Sequence, residues 1–206
     1  RRTIRKEIMD LTDVEWNNYV RALQGVRDSG VFERFVGYHS TYQFEAHGGC
    51  YFLPWHRQYL YELEVELNRI VPGVTIPYWD WTKSSGGVPV NTAFTTDRIW
   101  NRMGGANGAG PIPNAPFRRW SAGNTVCQRD FRQNNGNTGG GGGQYTFASS
   151  VDLGRVTRSS DSFSNFWTFL ENLHGPPHVA IGGNMGSIAL SPLDPMSWSH
   201  HSFIDK

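Results

Sequence analysis

The stretch from His47 to Glu64, HGGCYFLPWHRQYLYELE, sets the reading of the fold. From Pro54 onward it reads as a helix. Leu60, Leu63, Leu67 and Ile70 recur at the spacing that gathers side chains on one helical face. Pro72 and Gly73 then end it. His56 stands at the head of this helix, and His39 lies on a second helical stretch expected over Val31 to Phe44. Packing the two helices antiparallel turns both imidazoles inward. Further back, Thr12 and Glu15 form a T-x-x-E capping box that opens a first helix running to about Leu23.

Downstream the chain changes character. Residues 71–160 are rich in proline and glycine, and Gly139 to Gly143 are five glycines in a row. Such a run cannot hold a helix and reads as a mobile surface loop. Helical character returns at about Ser162 to Leu173, and a final helix is expected to begin near Trp198. The expected fold is therefore mainly α, a four-helix bundle with long irregular loops and little β, in one domain over residues 1–206. That much irregular chain needs an organiser, and a metal site would serve.

All seven histidines fall in two groups. His39, His47 and His56 form one; His174, His178, His200 and His201 form the other. Each group can supply three neutral imidazoles, which suit copper, zinc, iron or nickel. Three nitrogens leave room for a small ligand on the metal, as catalytic sites require. No cysteine or carboxylate sits inside either group at ligand spacing, which disfavours a cysteine-rich structural zinc site. Two such sites facing each other suit a dicopper centre that works on dioxygen. His174 and His178 are four residues apart, on one helical face. Gly175, Pro176 and Pro177 stand between them, and proline inside a helix removes a hydrogen bond and clashes with the preceding turn. Either the helix continues through, or His174 ends one helix and Pro176 starts another turn.

Composition excludes several classes. Charged residues are 18% and aromatic residues 14%, too apolar and aromatic for a disordered chain. The net charge of +1 gives no strong pull toward nucleic acid or a membrane surface. No apolar stretch approaches the roughly 18 residues of a spanning helix. The chain opens on Arg1 without a signal peptide and is expected to be a processed or trimmed product. Cys50 and Cys127 fit either one disulfide outside the cell or two thiols inside; the disulfide is the favoured expectation.

The segment His47–Glu64, with His39 upstream, resembles the first copper motif of tyrosinases, catechol oxidases and molluscan haemocyanins. LENLHGPPHVAIGGNMGSIALSPLDPMSWSHHSFIDK, residues 170–206, resembles their second copper motif. VTIPYWDW at 74–81 matches a stretch between the two, and RKEIMDLTDVEWNNYVRAL at 5–23 looks like the helix that opens these domains. Only residues 84–160 fall outside the resemblance. It implies a type-3 centre of two copper ions, the first held by His39, His47 and His56, the second by His174, His178 and His201. It implies that His200 lines the substrate cleft with Gly175 and Ile188, or stands behind the ligands. Asp205 would face the site and fix a histidine by hydrogen bonding, while Arg57 and Asp80 are scaffold charges. Phe52, Trp55, Tyr78, Trp79 and Trp81 read as core aromatics. The implied activity is oxidation of o-diphenols to o-quinones with O2, with monophenol hydroxylation left open. The implied partners are a phenolic small molecule and O2, with neither nucleic acid nor membrane, and the family habit is secretion. The alternatives are a haemocyanin-like reversible O2 carrier and a non-catalytic relative.

The chain departs from the family pattern at several points. Ser197 stands where a packing phenylalanine is common; either the wall near the second copper is loosened or another side chain fills the space. Gly175 follows the fourth histidine ligand, where monophenol hydroxylases often carry an asparagine that helps a glutamate hold a water; this tilts the reading toward diphenol oxidation, with Glu171 the nearby carboxylate. Residue 45 is glutamate, so the cysteine that some members join to the second histidine is absent there. Ile188 is expected to narrow the entrance without plugging it. The shielding C-terminal domain of many members is expected to be missing after Lys206, leaving an open site.

Overall fold

The computed structural model describes residues 4–85, 96–131 and 146–206. The glycine run Gly139–Gly143 lies outside the described residues. Helices dominate: α1 (Asp13–Asp28), α2 (Val31–Thr41), the short α3 (Gln43–Ala46), α4 (Phe52–Ile70), α5 (Trp81–Ser85), α6 (Ile99–Met103), α7 (Ser150–Ser159), α8 (Phe163–Ile181) and α9 (Pro195–Ile204). The β structure is slight: β1 (Ala109–Pro111) pairs antiparallel with β4 (Gln128–Asp130), and β2 (Ser121–Ala122) with β3 (Thr125–Val126).

The helix starts follow from local chemistry. Thr12 accepts a hydrogen bond from the Glu15 amide at 3.2 Å, and Glu15 accepts one from the Thr12 amide at 2.9 Å, completing the capping box. α1 runs past Leu23 to Asp28 because Val26 prolongs its buried face. α2 stops at Thr41, short of Phe44, which is left 84% exposed on α3. α4 begins ahead of Pro54, which its first turn tolerates because the amide there has no helical partner. α9 begins at Pro195, three residues before Trp198: Asp194 caps it by accepting from the Met196 amide at 2.9 Å, and Pro195 takes the first helical position.

α8 settles the question of the two prolines. It runs unbroken through Pro176 and Pro177, so His174 and His178 share one helix and no new start occurs at Pro176. The prolines cost the carbonyls of Asn172 and Leu173 their helical amide donors.

α2, α4, α8 and α9 enclose the core beside the histidines. Trp198 of α9 stacks on Tyr59 of α4 with ring centres 4.6 Å apart, and meets Phe35 of α2 edge-on at 5.7 Å. The Tyr59 hydroxyl donates to the Phe35 carbonyl at 2.7 Å, pinning α4 to α2. The segment 74–81 threads between the N-terminus and α9. Tyr78 accepts from the Ile8 amide and donates to the Lys6 carbonyl, and the Trp79 amide donates to Ser199, each at 2.9 Å. Phe52, Trp79 and Trp81 are fully buried, as core aromatics should be.

The irregular region is fastened to α9 by a buried ion pair. Arg129 on β4 reaches Asp194 through both Nε and Nη2 at 2.7 Å, and its Nη1 donates to the carbonyls of Met103 and Gly105. Both side chains are wholly excluded from solvent. Bidentate geometry with the remaining donors satisfied is what makes such a pair tolerable in a dry interior.

The structure overturns the disulfide expectation. Cys127 is buried beside Arg129 and Asp194, whereas Cys50 faces solvent on the turn before α4; both are free thiols. Among the described residues no helix is long and apolar enough to cross a membrane.

Asp194→Ala leaves the Arg129 charge unpaired in the core and removes the α9 cap. The expected loss is about 3–5 kcal/mol of unfolding free energy, measured by urea denaturation. A loss below about 1 kcal/mol would show that water reaches Arg129.

Candidate metal centre

Each histidine is placed by a helix or its end. His39 sits in the last turn of α2, His47 just beyond α3, His56 in the second turn of α4, His174 and His178 on α8, and His200 and His201 on α9. The nitrogens of His39, His47 and His56 lie within 4.8 Å of one another, and so do those of His174, His178, His200 and His201. The groups face each other. His56 stacks on His201 with ring centres 4.4 Å apart and planes 7° from parallel, and His47 lies 6.3 Å from His174.

The orientation of five of these rings has a common cause. Nδ1 of His47 bonds the Gln43 carbonyl at 2.9 Å, that of His56 the Phe52 carbonyl at 2.8 Å, that of His178 the Met185 carbonyl at 2.9 Å, and that of His201 the Ser197 carbonyl at 2.9 Å. His174 does the same with the Glu171 carbonyl. A carbonyl accepts only from a protonated nitrogen, so Nδ1 carries the hydrogen and Nε2 keeps its lone pair. Nε2 of His56 and of His201 is buried without any hydrogen-bond partner, and so are both nitrogens of His39. An orphaned acceptor in a dry interior is costly unless something binds it. Neutral imidazoles converging in two sets, lone pairs free, fit a pair of copper ions.

Burial also keeps these rings neutral. Desolvation pushes the pKa of His39 down to about 3 and that of His178 to about 4 from the ordinary 6.5, with neighbouring histidines adding to the depression in each case. His56, His174, His200 and His201 are driven well below 6.5 by the same burial. For His47 desolvation again leads, opposed by the Gln43 carbonyl and the Glu171 carboxylate.

The Met185 carbonyl that orients His178 is itself fixed by glycines. Gly182 and Gly183 have φ of +62° and +56°, and a Cβ on either would strike the backbone of β4. Asn184 then clasps Gln128 of β4, its amide donating to the carbonyl at 2.9 Å and its side-chain oxygen accepting from the amide at 2.6 Å. The G-G-x-M pattern thus has a mechanical meaning: close backbone approach and left-handed turns that only glycine permits.

Two expectations are corrected. The Asp205 carboxylate bonds no histidine ring; it pairs with Arg5 at 2.7 Å and Arg57 at 2.5 Å, and Arg5 continues to Glu64. Two arginines outcompete a neutral imidazole for a carboxylate. His200 is absent from the cavity lining and instead stands behind His174, the other of the two places expected for it. It is fully buried between α8 and Trp79 and Trp81, stacked on His174 at 5.6 Å, with both nitrogens unpartnered. Ser197 and Met196 are both buried, and the Ser197 carbonyl holds His201.

A cavity of about 460 Å³ is lined by His47, His174 and His178. Gly175 and Ile188 line it, with Phe44, Val179 and Met185, which sequence reasoning did not single out. Glu171 lines it too, and its Oε1 accepts from the Gly48 amide at 2.7 Å, tying α8 to the His47 loop. Arg129 also escaped notice, because its role depends on a partner distant in sequence.

The fold and site define a helical protein with paired histidine groups suited to a binuclear metal centre. Residues 29–206 match the family model for the common central domain of tyrosinase, and the chain belongs to that family of type-3 copper proteins, related to haemocyanins. Members carry a binuclear copper centre, and the two histidine groups can hold it. The chain is 31% identical to a tyrosinase of Streptomyces antibioticus over 99% of its own length and 81% of that protein. It is 30% identical to a tyrosinase-like protein of Caenorhabditis elegans, of which it spans 30%. A polyphenol oxidase from Thermothelomyces thermophila shares the fold with a TM-score of 0.69 at 21% identity, over 98% of this chain and 68% of that one. A functional unit of octopus haemocyanin does so with a TM-score of 0.63 at 22% identity, over 99% and 51%.

Depressed histidine pKa values make the metal-free protein acid-sensitive. Unfolded histidines take up protons near pH 6.5, while the folded, buried ones resist until about pH 3–4. The stabilisation is therefore present above pH 6.5 and lost as pH falls toward 4. The Tm of the metal-free protein is expected to drop steadily across that window in calorimetry. A flat profile would mean that the rings protonate in the folded state.

Proposed function

We propose that this chain is a copper-dependent phenol oxidase that converts o-diphenols to o-quinones: two diphenols and one O2 give two quinones and two waters. One observation carries the reading. The cavity over His47, His174 and His178 brings an external molecule of phenol size to the histidines that would hold the metals. In this reading His39, His47 and His56 hold one copper and His174, His178 and His201 the other. Bound copper would supply the two-electron exchange with dioxygen.

The protein's own part is orientation and exclusion. The backbone carbonyls keep Nδ1 of His47, His56, His174, His178 and His201 protonated and their Nε2 available. Phe44, Val179, Met185 and Ile188 offer an apolar wall to an aromatic ring. Ile188 is 58% exposed, so it narrows the mouth without closing it. His200 backs His174 and would hold its ring in place.

Oxygen uptake tests the reading. With copper loaded, catechol is expected to drive prompt uptake and tyramine little or none. No uptake with either, at two coppers per chain, would favour the reversible O2 carrier, to which the similarity with an octopus haemocyanin also points.

Gly175 offers a second test. A Cβ built on it meets nothing within 4 Å, so a side chain fits without displacing its neighbours. Gly175→Asn puts an amide at the cavity wall beside Glu171 and is expected to raise the tyramine rate relative to catechol at least several-fold. An unchanged ratio would show that residue 175 does not govern monophenol use.

A further inference from the structure

We infer that the cleft sorts its phenols by charge, admitting neutral and cationic side chains and disfavouring anionic ones, with Glu171 as the discriminating residue. This rests on the cavity being the phenol site.

Among the described residues lining the cavity, Glu171 is the one charged side chain apart from the histidines, which burial keeps neutral. No lysine or arginine is among them. The carboxylate accepts from the Gly48 amide, a neutral donor, so that bond leaves its negative charge uncompensated. Its field reaches inward as well, opposing the fall in the His47 pKa that burial causes. Phe44, Val179, Met185 and Ile188 make much of the remaining wall apolar, and its other polar side chains, Gln43 and Ser191, are uncharged, so nothing there offers an anion a counter-charge. A ring seated toward the histidines must carry its substituent out along this wall. A carboxylate there meets a like charge, and an ammonium meets an opposite one.

Three ring-matched catechols separate the cases: 4-ethylcatechol, neutral; dopamine, cationic; and 3-(3,4-dihydroxyphenyl)propionate, anionic. Their kcat/KM values are measured on the copper-loaded chain. Their Kd values are measured by calorimetry on the zinc-loaded chain, where no oxidation occurs. Dopamine is expected to exceed the propionate by about five-fold or more in both. Glu171→Gln keeps an acceptor for the Gly48 amide and is expected to cut that ratio at least three-fold; comparing it with the parent cancels the charge of the metal. Ile188→Lys at the mouth is expected to move the ratio the same way, and Asp28→Asn at the far end of α1 to leave it unchanged. A propionate bound as tightly as dopamine, or a ratio that Glu171→Gln does not move, overturns the inference. Oxidation of none of the three, with the order of Kd values kept, sinks the phenol oxidase reading and leaves the charge selection standing.

Discussion

The structure is organised around imidazoles that must be dry, neutral and aimed. Dryness comes from the helices packed round them, and it drives each pKa down. Neutrality follows from that depression. Aim comes from the backbone, because a carbonyl held by a helix turn takes the Nδ1 hydrogen and leaves Nε2 one direction to point. His56 and His201 use carbonyls four residues back on their own helices, so the helix sets residue position and ring orientation together. A site built this way loses little conformational entropy when a metal arrives, since the rings are fixed beforehand.

Helices alone could not complete it. His178 has its carbonyl from Met185, on a loop beyond the end of α8. That loop leans on β4 through Gly182, Gly183 and Asn184, and β4 is held to the cap of α9 by Arg129 and Asp194. One strand of three residues therefore serves both halves of the second histidine group: it supports the loop that orients His178 and pins the helix that carries His201. The described part of the irregular region is a brace, and its ion pair is affordable in the interior only because every donor of Arg129 engaged there finds an oxygen.

Much of this was legible in the sequence, for identifiable reasons. The periodic apolar face of α4 and the Thr12–Glu15 box are local signals, and they located their helices. The two histidine groups were plain because histidine is scarce and the clustering tight. What stayed hidden depends on contacts between distant residues. Nothing near Arg129 announces Asp194 as its partner, and nothing near Asp205 shows that Arg5 and Arg57 will claim it. Two cysteines invite a disulfide, yet pairing needs a common environment, and here one thiol is in the core and the other in water. The start of α9 was misplaced although Asp194-Pro195 spells a cap and a first helical position.

The two prolines of α8 were the hardest sequence feature to reconcile with a helix, and they sit where the site gains from them. Proline fixes its own φ near the helical value, so a backbone that has lost two amide donors stays ordered. The turn holding His174 and His178 is thereby stiffened by covalent geometry in place of hydrogen bonds. Gly175, with no side chain, opens the cavity wall directly beside His174. The Gly-Pro-Pro sequence thus combines a rigid seat for two histidines with a cavity wall that keeps open space beside His174.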